Sequence, residues 1–119
     1  MKDKIKVLGT EYRIVFKGDE EIAKDMNANV GEYGGYCNEA KKIIAIALFD
    51  KCEVEDEESK AYLTKWNLRH EITHAFLNES GLSSDSESAE HWAKSEEMVD
   101  WFAIQSPKIY KVFEELDIL

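Results

Sequence analysis

Ile5, Val7, Tyr12, Ile14 and Phe16 alternate with polar residues on either side of Gly9-Thr10. A period of two predicts two short strands joined by a turn, with the apolar side chains sharing one face. Asp19 to Met26 is polar, with Ile22 and Met26 four apart, which predicts a short helix. Gly31, Gly34 and Gly35 then mark a loop. Tyr36-Cys37, a polar turn over Asn38 to Lys42, and the run Ile43 to Leu48 predict a second hairpin. Its last strand is apolar on both faces and belongs in the middle of a sheet.

The second half changes period. An acidic stretch, Glu53 to Glu58, predicts a solvated loop whose acids suit the positive end of a following helix. From about Glu57 to Ser80 no Gly or Pro interrupts, and Gly81 supplies a stop, so one long helix is predicted. Leu82 to Ser88 is rich in Ser and Asp and reads as loop. A helix over Ser95 to Gln105 follows, and Pro107 opens a last one with Ile109, Val112, Phe113 and Leu116 on one face. Strands first and helices afterwards imply one α+β domain over residues 1–119, a sheet of about four strands followed by a long helix and C-terminal helices.

Composition narrows the function classes. The net charge is -10, from 25 acidic against 15 basic side chains. Such a balance repels phosphate backbones and anionic lipid heads, so neither nucleic acid nor a membrane is the expected partner. No stretch has the apolar length to span a bilayer, and residues 1–8 lack the continuous apolar run of a signal peptide. Cys37 and Cys52 alone make no disulfide framework. A cytoplasmic protein with free thiols is the expectation.

The candidate chemistry lies in His70-Glu71-Ile72-Thr73-His74, inside the long predicted helix. Residues four apart share a helix face about one turn apart, so both imidazoles can reach one Zn²⁺ at about 2.0–2.1 Å. Glu71 is rotated off that axis and is placed to act as a base on water rather than as a ligand. A structural zinc site is closed by four protein ligands, whereas a catalytic one takes three and keeps a position open. Glu90, His91, Glu96, Glu97 and Asp100 are the downstream candidates for the third ligand. Glu96 is preferred, because Asp100 four residues on can hold the outer N–H of a ligand imidazole. His91 is the rival ligand, or a substrate contact; with Tyr33 and Tyr36 it is also a candidate donor to a developing oxyanion. Trp66, one turn before His70, is a candidate wall of the site.

The same residues resemble a known family. His70 to His74 followed by Ser95-Glu96-Glu97-Met98-Val99-Asp100 is similar to the gluzincin branch of the zincin metallopeptidases, with its His-Glu-x-x-His and Glu-x-x-x-Asp patterns. Leu68 to Leu82, Glu96 to Gln105, the opening Val7 to Tyr12 and Gly35-Tyr36-Cys37 also look like small phage-borne zinc peptidases. The likeness to ImmA/IrrE-type peptidases is more distant: Val99-Asp100-Trp101-Phe102-Ala103 stands where they favour Ala-Asn-x-Phe-Ala.

The resemblance implies a zincin-like fold with one zinc on His70, His74 and Glu96. It also implies Glu71 as general base, Asp100 orienting His70, and a strand edge for an extended peptide or protein substrate, from Ile43 to Leu48 or its hairpin partner. The expected function is hydrolysis of peptide bonds. The alternative is a zinc-stabilised protein-interaction module, of a phage regulatory or anti-repressor type. A fourth protein ligand such as His91 or Cys37 would favour that second reading.

Overall fold

The computed structural model describes residues 2–51, 54, 56–82 and 96–119; of residues 96, 99 and 103 only the backbone is described. Strand β1 (Lys4–Val7) and strand β2 (Thr10–Lys17) form the first hairpin. The turn is Leu8-Gly9, both at positive φ (50° and 88°), as the tight two-residue connection of a right-twisted hairpin requires. Ile5, Val7, Tyr12 and Ile14 are buried together as their alternation predicts. Phe16 is the exception at 41% exposed, although Ile46, its register partner on the neighbouring strand, is buried.

Helix α1 (Asp19–Met26) follows at the predicted bounds and ends on Asn27 in the left-handed region. Strands β3 (Gly35–Asn38) and β4 (Ile43–Ala47) form the second hairpin. The sheet order is β1-β2-β4-β3, with β2 and β4 parallel and both hairpins antiparallel. The two-sided apolar pattern of β4 is thereby explained. Ile44 and Ile46 join the main core, while Ala45 and Ala47 pack with Ile22 of α1. The small alanine side chains let α1 approach that face closely. The edges of the sheet are β1 and β3, so the hairpin partner, not β4, presents the free edge.

Helix α2 (Glu57–Glu79) and helix α3 (Glu96–Leu116) cover the other face. Asp56 caps α2 by accepting the Ser59 N–H at 2.7 Å, and Gly81 at φ 81° ends it. Leu68, Ile72, Ala75 and Phe76 form its buried stripe. Tyr12, Thr10 and Lys42 all donate to the Glu79 carboxylate, at 2.7, 3.0 and 2.6 Å, and fasten the end of α2 to both hairpins.

The expected break before Pro107 is absent, and α3 runs through it as one helix. A proline costs one backbone hydrogen bond in a helix interior. Here Trp101, Gln105, Ile109, Val112 and Leu116 keep one half-buried to buried stripe across it, and that packing holds the helix together. The Trp101 indole donates to Ser80 Oγ at 2.7 Å, and Arg69 donates to the Ile118 carbonyl at 2.6 Å. Helices α2 and α3 therefore run antiparallel. No described helix is long and apolar enough to cross a membrane.

Candidate metal centre

His70, Glu71 and His74 occupy one and a third turns in the middle of α2. One ligating atom from each lies within 4.8 Å of the others. The two Nε2 atoms are 3.2 Å apart, with the rings inclined at 67°. Donors at about 2.0–2.1 Å around a tetrahedral ion stand about 3.3 Å from each other, so this pair already has the spacing zinc requires. Both histidines are exposed, and the contact between their Nε2 atoms is one that a cation would replace. Partial desolvation, and then the charge of His70, holds the His74 imidazole below its ordinary value. That favours the neutral form, which is the one that ligates.

Glu71 is only 8% exposed and forms no hydrogen bond with a described residue. Burial pushes its carboxyl up to about 7. Among the described residues no cation pairs with Glu71, and a carboxylate clustered with two imidazoles is an arrangement that a divalent ion would balance. The donor set thus fits zinc: two imidazoles for the ion, one carboxylate beside it.

The second wall comes from β3. Gly34 lies against Asn67, where a Cβ would overlap the asparagine side chain, and Asn78 Nδ2 reaches Cys37 Sγ at 3.8 Å. Asn67 and Asn78 bracket the His-Glu-x-x-His turn on α2, so β3 runs alongside that turn. Between them is a cavity of about 370 Å³, lined by His70, Glu71, His74, Tyr33, Tyr36 and Cys37 among others. On the opposite side of the histidines, Trp66, Leu77 and Phe113 line a more apolar groove of about 350 Å³ between α2 and α3. Trp66, expected one turn ahead of His70 as a wall of the site, lines this second groove and not the cavity that holds Glu71.

The remaining candidates are distributed unevenly. Glu96 opens α3, but its side chain is outside the description, as are His91 and Glu90 altogether. Glu97 and Asp100 are exposed in the first turns of α3, and Asp100 makes no hydrogen bond to His70. The Tyr36 hydroxyl is already engaged, donating to Asp25 at 2.6 Å and accepting from Lys17 at 3.0 Å, so it anchors α1 to β3. Tyr33, 45% exposed and lining the same cavity, is the freer phenol. Cys37 is not among the clustered donors. Burial, then the charge of Glu71, pushes its thiol up to about 12, which makes it a neutral wall of the cavity.

Glu79 has no part in the sequence reading of the site, yet it fixes where the site sits. A glutamate near a helix end gives no local sign of its three partners, 37 to 69 residues away. Comparison with protein-family models, with curated proteins and with solved structures yields no match to this chain.

Proposed function

We propose that this chain is a zinc-dependent peptidase of zincin-like architecture. The observation that carries the reading is the 3.2 Å pair of Nε2 atoms with a buried carboxylate between their positions on one helix. His70 and His74 would hold the ion, with Glu96 as the third ligand carried over from the resemblance. Zinc bound there supplies positive charge that polarises a peptide carbonyl and acidifies water.

The protein's own share falls to Glu71 and β3. Glu71 takes a proton from water in the cavity and returns it to the departing amine, which restores the carboxylate. Its burial keeps bulk water from competing for that proton. The free edge of β3 offers backbone donors and acceptors that hold an extended peptide across the cavity. Tyr33 is the side chain available to donate to the carbonyl oxygen as it gains charge.

The test separates metal from chemistry. Glu71→Gln should retain zinc, measured by elemental analysis of the purified protein, and lose cleavage across a peptide library. Cleavage undiminished in that variant would remove Glu71 from its role; a variant and parent that are both devoid of zinc would remove the metal.

A further inference from the structure

A second feature stands apart from the metal site. We propose that the outer edge of β1 is a docking surface for an extended acidic segment of a partner protein. Lys2, Lys4, Lys6, Lys108 and Lys111 converge on one cavity of about 470 Å³ between β1 and α3. Five of the chain's 15 basic residues therefore surround one recess of a protein whose net charge is -10. Glu11 and Glu115 also line it, leaving a local excess of positive charge. All five lysines are exposed, and none forms an ion pair with a described residue.

Among the described residues, the backbone beneath them is unpaired on one side. The Ile14 N–H donates to the Asp3 carbonyl at 2.7 Å, which sets the phase of the β1–β2 ladder. In an antiparallel ladder bonded and non-bonded pairs alternate. Ile5 and Val7 therefore bond inward to Tyr12 and Thr10, and the N–H and C=O groups of Lys4 and Lys6 point outward. The cavity has an apolar floor that includes Leu8, 37% exposed, and Val112.

These features define the occupant. An added strand completes the hydrogen bonds of Lys4 and Lys6, its carboxylates meet the lysine ammoniums, and an apolar side chain settles on the floor. Lysines on a sheet edge discourage neutral and basic strands from pairing. Here the same charges select an acidic one. A nucleic acid or an anionic bilayer is a poorer fit, since the remaining surface repels both over any larger contact.

The probe is a fluorescein-labelled decapeptide alternating Glu with Val and Thr, titrated into the full chain with a chelator present, which makes the outcome independent of the metal reading. Saturable binding is expected, with backbone amide shifts concentrated at Lys4 and Lys6. The triple variant Lys4→Glu, Lys108→Glu, Lys111→Glu, its circular dichroism unchanged, should bind more weakly by about tenfold or more. The same peptide N-methylated at alternate residues should lose binding to a similar extent. Absence of saturation would overturn the proposal, as would equal binding by a Lys-for-Glu peptide, by the N-methylated peptide or by the triple variant. Equal competition by polyphosphate or phosphatidylserine vesicles would also overturn it, since that is attraction to any anion.

Discussion

Glu79→Ala tests the link between sheet and site most directly. The carboxylate is 14% exposed and accepts from Tyr12, Thr10 and Lys42. Tyr12 is wholly buried, so its hydroxyl loses the carboxylate it donates to in that variant. A hydrogen bond to a charged acceptor contributes about 1.5–3 kcal/mol, and a buried donor left alone costs a similar amount. The Lys42 ion pair adds less, about 0–1 kcal/mol, because the lysine is 37% exposed and screened. These terms overlap, and the expected loss is about 2–4 kcal/mol for Glu79→Ala. Glu79→Gln keeps a neutral acceptor and should lose about 1–2 kcal/mol.

The pH dependence gives a second, sharper readout. The hydrogen bonds from Lys42 first, then from Tyr12, hold the Glu79 carboxyl below its ordinary value. A group whose folded pKa is depressed contributes stability that is complete above its unfolded pKa and disappears as pH falls through the folded one. The difference between wild type and Glu79→Gln in urea titrations should thus be constant from about pH 7 to pH 5, then shrink below about pH 4, the ordinary glutamate range. A loss under about 0.5 kcal/mol for the alanine variant would refute this reasoning. So would a wild-type-to-Gln difference undiminished at the lowest pH where both still fold.

Two further outcomes follow from the geometry. His74→Ala should fold normally, since the ring is exposed; under the proposed function the parent should gain about 2.7 kcal/mol at a hundredfold excess of zinc over Kd and the variant should not, which calorimetry with and without zinc measures. Gly35→Ala should destabilise by about 1–3 kcal/mol in a urea titration, because its Cβ would overlap the Ala45 carbonyl oxygen inside the β3–β4 hairpin; a neutral effect would refute that close approach.

What could be read from the chain in advance was what its local periods encode. The alternation through Ile5, Val7, Tyr12 and Ile14 located the first hairpin, and the breakerless run before Gly81 located α2 almost to the residue. Both signals are repeated over several residues, so single exceptions do little harm. Pro107 is the opposite case: a single local signal for a break is outweighed by a stripe from Trp101 to Leu116 that is visible only when both sides of the proline are taken as one helix. Phe16 is exposed because alternation says which face a residue shares, not whether another element covers it there.

The site divides along the same line. His70, Glu71 and His74 were legible because their relation is set by helix geometry alone, and the 3.2 Å separation is what a four-residue spacing can deliver. Everything that makes the turn a cavity is non-local. β3 reaches it only because β4 takes the place beside β2, which forces β3 to the edge over α2. Gly34 and Gly35 then permit contact too close for any side chain, and Glu79 fixes how far α2 can slide along the sheet. A glycine pair and a terminal glutamate look ordinary in sequence, since their partners lie in other elements. The imidazoles determine which ion can be held. Under the proposed function, the packing of Gly34, Cys37, Asn67 and Asn78 determines what can reach Glu71, and substitutions at those positions should alter peptide cleavage before they alter zinc retention.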